Sequence, residues 1–198
     1  MIKILSYKLW CIFINFIFII IFTPLFLIVS ILIYFLNFFY NKGPLFFCQN
    51  RLGLNGITFE LYKFRTMYVD AEKDGPQWAS LDDTRITKLG KFLRISRIDE
   101  LPQIINIIKG NINLIGPRAE RPEMRDIIIN HIPNFNDRLL IKPGITGLAQ
   151  ISSGYSNNID QMTTKLEEDI LYIRSKSILL DLKIIYKTIF IILKLHGT

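Results

Sequence analysis

Asp99 and Glu100 stand side by side in SRIDELPQ (residues 96–103), after a stretch in which Arg85, Lys88, Lys91, Arg94 and Arg97 recur every third residue. Nearby positive charge and a helix N-terminus both favour the ionised form of a carboxyl group. An ionised, oriented carboxylate is a nucleophile or a ligand for a hard cation. Helical neighbours point about 100° apart, so these acids do not flank one bond from opposite sides as paired glycosidase carboxylates do. Separate roles follow if they do chemistry at all; an acidic first turn that only complements the helix dipole has the same appearance.

Two more basic groups can face an anion. Arg118 and Arg121 lie in GPRAERPEM, between Pro117 and Pro122. Arginine forks match phosphate oxygens, and prolines hold such a loop before a ligand arrives; a surface turn with ordinary ion pairs is the other reading. Lys63 and Arg65 in KFRTM are positioned to add phosphate contacts. His131 has no partner at catalytic spacing and reads as structural. Cys11 and Cys48 have neither metal-ligand nor disulfide spacing, and no Walker or dinucleotide loop is present.

The elements that must carry these residues begin with an apolar run. The chain has 198 residues, 50% of them hydrophobic, with a net charge of +7, yet no charged residue occurs from Leu9 to Tyr40. This is a membrane segment, too long for a secretory signal. A straight helix of that length would measure about 48 Å against a hydrocarbon core of about 30 Å. Thr23-Pro24 divides it into halves, and proline removes a helical hydrogen bond while the threonine hydroxyl can satisfy a freed backbone group. Lys3 and Lys8 precede the run and Lys42 and Arg51 follow it, so both ends carry the charge that favours the cytoplasmic side. The flanks favour a re-entrant helix-break-helix hairpin over residues 1–40; a tilted, Pro-kinked single span is the alternative.

Residues 41–198 read as one domain. FFCQNRL and ITFELYKF, separated by Gly53-Leu54-Asn55-Gly56, predict a β-hairpin. DGPQWASLDD is a loop. ITKLGKFLRIS places Ile86, Leu89, Phe92, Leu93 and Ile95 at helical spacing among basic residues, an amphipathic helix suited to anionic headgroups. LPQIINIIKG predicts a short helix capped by Asp99 or Ser96 and ended by Gly110. A helix follows from Glu123 to about His131. KPGITGLAQISSGY reads as turns and short extended pieces. The C-terminal stretch predicts one or two helices, the last interfacial from Ile178 with Lys183, Lys187 and Lys194. The fold class expected is therefore α+β and membrane-associated.

KFRTMYVDAE, RITKLGKFLR, DELPQIINIIKGNINLIGPRAERPE, KPGITGLAQ and EEDILYIRSKSILLDLKIIYKT resemble, in order and spacing and over nearly the whole chain, the bacterial polyprenyl-phosphate phosphoglycosyl transferases of the monotopic superfamily. The chain looks like the small, minimal form. The resemblance implies an enzyme anchored at the cytoplasmic face of the bacterial inner membrane, with residues 41–198 as the catalytic domain. It would transfer a sugar-1-phosphate from a UDP-sugar to polyprenyl (undecaprenyl) phosphate with Mg²⁺, releasing UMP and initiating glycoconjugate assembly. Asp99 matches the family's nucleophile and Glu100 the second member of its catalytic dyad, both candidate metal ligands. Arg118 matches the Pro-Arg loop arginine, and Lys63, Arg94 and Asp169 match other recurring polar positions; with Arg121 these are the substrate-binding candidates.

Two departures stand out. Thr23-Pro24 replaces the family's common Ser-Pro, and Ser152-Ser153-Gly154-Tyr155 replaces an asparagine-glycine-arginine run. Direct transfer with Asp99 only binding metal is the rival mechanism. A basic, membrane-tethered binding protein is the rival class, although no nucleic-acid motif is present and nucleic acid is not an expected partner.

Overall fold

The computed structural model describes residues 2–73, 75, 83–152 and 159–194. Most of the DGPQWASLDD loop and the run Ser153-Gly154-Tyr155 lie outside the described residues. The apolar run forms one helix, α1 (Ile2–Tyr40), with Pro24 inside it. Its segment Leu5–Tyr40 is long and apolar enough to cross a membrane. The expected break is thus not an interruption: the helix continues past the backbone bond that proline cannot make. Nor does the Thr23 hydroxyl compensate, since it is buried without a hydrogen-bond partner. α1 touches the rest of the chain on both sides of Pro24.

Those contacts run along the helix. Ile14 packs with Ile115, Tyr172 and Ile184. Phe18 and Ile19 lie against Leu61, Ile107 and Ile112, and Phe26, Val29 and Ile33 join Phe64 and Leu93. The opposite side, including Phe13, Phe16, Ile21, Ile28 and Phe35, is exposed.

Polar side chains fasten both ends. Tyr7 Oη and Trp10 Nε1 donate to Asp181 Oδ2 at 3.0 and 2.9 Å, and Tyr172 Oη donates to Oδ1 at 2.9 Å. Asn15 Nδ2 donates to Asn113 Oδ1 (3.0 Å), and its own Oδ1 accepts from Leu114 N (2.8 Å). At the far end, Asn41 Nδ2 donates to Arg65 O (2.8 Å), and Arg65 Nη1 donates to Asn41 Oδ1 (2.9 Å).

The hairpin forms as expected: β1 (Phe46–Leu52) pairs antiparallel with β2 (Thr58–Phe64), Phe46 opposite Phe64 and Leu52 opposite Thr58. Asn55 and Gly56 make the turn at φ +55° and +77°. The wholly buried Asn106 accepts from Tyr62 N (3.0 Å) and donates to Glu60 O (2.6 Å), satisfying the free edge of β2.

Helix α2 (Lys88–Ile95) starts at Thr87, whose Oγ1 accepts from Gly90 N at 3.0 Å. Leu93 and Leu89 turn inward against Phe64, while Phe92 stays exposed. A 3₁₀ turn (Ile98–Glu100) precedes α3 (Gln103–Ile108), and Gly110 at φ +73° ends that helix. Asp99 and Glu100 therefore sit before α3, and Pro102 occupies the cap position assigned above to Asp99 or Ser96. The reason is Arg97, at φ +60°, which closes α2 and starts a separate turn.

β3 (Asn113–Ile115) and β4 (Gly144–Thr146) form a parallel pair. Between them come α4 (Pro122–Ile129) and a 3₁₀ segment (Pro133–Leu140). Met124, Ile128, Phe135 and Leu166 build the core under this region. The chain ends with α5 (Leu148–Ser152), α6 (Ile159–Ser175) and α7 (Ile178–Leu193), the last exposing Leu179, Leu182, Tyr186 and Leu193.

Candidate active site

Four elements bring the charged residues together. β2 supplies Lys63, α2 supplies Arg94, the 3₁₀ turn supplies Asp99 and Glu100, and the loop after β3 supplies Arg118. Glu100 Oε1 accepts from Lys63 Nζ and Arg118 Nη2, both at 2.8 Å. Burial opposes ionisation of Glu100, but Arg118 and Lys63 outweigh it and hold the carboxyl well below the usual range.

Asp99 is placed differently. It is 7% exposed, and among the described residues no side chain donates a hydrogen bond to its carboxylate. Burial pushes its pKa up to about 6; Lys63, Arg94 and Arg118 work against that rise, while Glu100 adds to it. At neutral pH the group is mainly ionised, desolvated and within the field of three cations. Arg94 is steadied by donating Nε to Thr66 Oγ1 at 2.9 Å.

Arg121 and Asp169 are not brought to the dyad. Arg121 grips Glu72 with Nη1 and Nη2 at 2.9 and 3.1 Å, and its Nε lies 3.7 Å from Glu123. Asp169 is buried 2.6 Å from Arg138 Nη2. Burial raises its pKa to about 6 even though Arg138 opposes this. Sequence reading missed Arg51, Glu120 and Arg138. Arg51 is pushed down to about 10 by burial, with Glu120 opposing the shift. Burial raises Glu120, but Arg138 and Arg51 more than offset it. Nothing in the sequence separates such buried arginines from surface ones.

Magnesium takes oxygen ligands and usually binds through one or two carboxylates together with substrate phosphates. Among the described residues no group of three or more metal-ligating side chains occurs. The acceptor-only Asp99 carboxylate and the second oxygen of Glu100 fit a shared, phosphate-completed site of that kind. The arrangement can direct an anionic oxygen at a centre whose negative charge Lys63, Arg94 and Arg118 offset.

The profile of the family described as bacterial sugar transferase matches residues 5–195. The UDP-N-acetylgalactosamine-undecaprenyl-phosphate N-acetylgalactosaminephosphotransferase of Aeromonas hydrophila is 42% identical over 176 residues, 89% of this chain and 41% of that protein. The UDP-glucose:undecaprenyl-phosphate glucose-1-phosphate transferase of Klebsiella pneumoniae is 42% identical over 152 residues, 76% of this chain and 33% of that protein. The protein of the same name from Caulobacter vibrioides is 38% identical over 153 residues, 75% and 57% of the two chains. The chain thus spans less than two thirds of each of these relatives.

Proposed function

Given that the chain belongs to the bacterial sugar transferase family, we propose that it transfers a sugar-1-phosphate from a UDP-sugar to polyprenyl phosphate, of the undecaprenyl type, at the cytoplasmic face of the bacterial inner membrane. The observation that carries this reading is the asymmetry of the dyad: Glu100 takes the hydrogen bonds of Lys63 and Arg118, leaving the Asp99 carboxylate buried among cations with no side-chain donor among the described residues.

Asp99 attacks the β-phosphorus of the UDP-sugar. A P–O bond forms to the carboxylate, the bond to the α-phosphate oxygen breaks, and UMP leaves. An oxygen of polyprenyl phosphate then attacks the acyl phosphate, restoring the Asp99 carboxylate and giving polyprenyl diphosphosugar. Two displacements replace one difficult transfer. Arg118 and Lys63 bind phosphate oxygens and align them, and Arg94 adds positive charge behind Asp99. Asp99 and Glu100 would hold Mg²⁺, which when bound supplies further neutralisation of the diphosphate.

Membrane placement is supported by α1. Tyr7, Trp10 and Asn15 near one end and Asn41 at the other are bonded to the same domain. This favours both ends lying on one side of the bilayer, where Lys8 and Lys42 match the cytoplasmic preference. The exposed apolar sides of α1 and α7 suit a site working on a lipid that does not leave the membrane cheaply, at about 0.8 kcal/mol per CH₂.

The test is the intact mass of the purified protein after incubation with Mg²⁺ and each of a panel of UDP-sugars, acceptor omitted, beside Asp99→Asn. A sugar-phosphate adduct on the wild type alone is expected, and its mass identifies the sugar. If no sugar gives an adduct, yet UMP appears once polyprenyl phosphate is added, transfer is direct and the nucleophile assignment fails.

A further inference from the structure

The loop that presents Arg118 is held in an unusual way. Four successive carbonyls each have their own donor from outside the loop, two of them neighbours in β1. Pro117 O accepts from Gly144 N (2.9 Å), Arg118 O from Arg138 Nη2 (2.9 Å), Ala119 O from Arg51 Nη1 (3.0 Å) and Glu120 O from Leu52 N (2.8 Å). Two of those donors are guanidinium groups, that of Arg138 buried and that of Arg51 partly so. Taking such a charge out of water is costly, and burial depresses the Arg51 pKa to about 10. An ordinary surface turn leaves its carbonyls to water and needs neither arginine.

The charge on Arg138 is balanced from behind, with Asp169 Oδ2 at 2.6 Å and Glu120 Oε1 at 3.4 Å. A continuous path therefore leads from α6 through Asp169, Arg138 and the Arg118 backbone to the Arg118 side chain and Glu100. From these contacts we infer that Arg138 and Arg51 are positioning residues. They fix the main chain of residues 118–119 so that the Arg118 fork meets Glu100 and an incoming phosphate in one orientation. Asp169 acts at one further remove, by aiming Arg138. The catalytic consequence rests on the transferase reading above, while the mechanical part does not.

Lysine keeps the charge of arginine but lacks the planar fork that reaches two partners at once. Arg138→Lys should retain the ion pair with Asp169 and lose the bond to Arg118 O. Misplacing a catalytic group by about 1 Å can cost about 100-fold in rate, so UMP release by this variant should fall about 10- to 100-fold in kcat, with KM for the UDP-sugar changing much less. The deciding comparison is made in an Arg118→Met background. If Arg138 acts through Arg118, adding Arg138→Lys there lowers the residual rate by less than about twofold, because coupled residues are non-additive. The same factor in both backgrounds, or a wild-type rate for the single variant, overturns the inference.

Amide hydrogen exchange of Leu52 and Gly144, whose N–H groups donate to Glu120 O and Pro117 O of this loop, is measured on the same proteins and needs no substrate. It should rise at least tenfold in Arg138→Lys while α3 is unchanged. Unaltered exchange at these two amides overturns the mechanical claim, even if the wild type proves to release no UMP, a result that would refute the transferase reading instead. Should Arg138→Lys fail to fold, Arg51→Lys, which loosens the neighbouring carbonyl, carries the same two measurements.

Discussion

Gly90→Ala tests whether the close approach of α2 to the end of the hairpin sets the site. A Cβ on Gly90 would lie 1.9 Å from Thr66 O, 2.6 Å from its carbonyl carbon and 2.7 Å from its Cα, where real Cβ contacts do not fall below 3.0 Å. The neighbour is main chain, so no side chain can swing away. Thr66 O also accepts from Thr87 N at 3.0 Å and Thr66 Oγ1 accepts from Arg94 Nε at 2.9 Å, which ties that backbone to both ends of α2. Relief therefore means parting the helix from the strand end by about 1 Å or more, an overpacking cost of about 1–3 kcal/mol. On a domain of this size that corresponds to a fall of roughly 2–12 °C in thermal midpoint. The same displacement carries Arg94 and, through the turn at Arg97, Asp99. A shift of about 1 Å at a catalytic group corresponds to about 100-fold in turnover. Thermal unfolding in detergent and UMP release from a UDP-sugar are the two readouts. A variant with wild-type midpoint and wild-type kcat would refute the argument that this contact positions the site.

Three further outcomes are expected. Asp99→Asn should lose turnover yet be more stable than the wild type at pH 8 with metal chelated. Burial raises the Asp99 pKa to about 6, so the stability tied to its protonated form is present below the unfolded value and lost as pH rises through about 6. The gap between the two melting curves should narrow as pH falls below about 6 and close only near the unfolded carboxyl's value of about 3.9, and a variant less stable at pH 8 contradicts this. Glu100→Gln should lower kcat by at least about 100-fold without raising KM for the UDP-sugar, since Lys63 and Arg118 are released towards phosphate; a rise in KM at constant kcat argues for simple substrate binding. Asp181→Leu removes the acceptor shared by Tyr7, Trp10 and Tyr172 and should cost about 2–5 kcal/mol, seen as a drop in thermal midpoint; an unchanged midpoint would mean those bonds do not hold α1.

Much of the framework was legible because it rests on periodicity. The hairpin around Gly53–Gly56, the amphipathic α2 and the apolar α1 each follow from local pattern. The convergence of Lys63, Arg94, Asp99, Glu100 and Arg118 was legible through ordered motifs; no local spacing places residues 63 and 118 on either side of one carboxylate. β3 escaped notice because three residues carry no detectable alternation, whereas β4 falls in the stretch read as turns and short extended pieces, of which Leu148–Ser152 is helical instead. The cap assigned to Asp99 failed because Arg97 adopts φ +60°, a conformation rare for a non-glycine residue and not signalled by its neighbours. Arg121 looked equivalent to Arg118 in sequence, but Glu72 claims it, a pairing across 49 positions that composition does not reveal.

The fastening of α1 changes what the membrane helix is. Its inner side completes three hydrophobic clusters of the domain, and asparagines, aromatic residues and Asp181 stitch its ends in place. An anchor joined only by a linker could be exchanged for any apolar helix of equal hydropathy. Here such an exchange would uncover Ile115, Phe64 and Ile112 and take Tyr7 and Trp10 away from Asp181. On the membrane placement proposed above, drawing α1 out of the bilayer would also strip one wall from three of the domain's hydrophobic clusters.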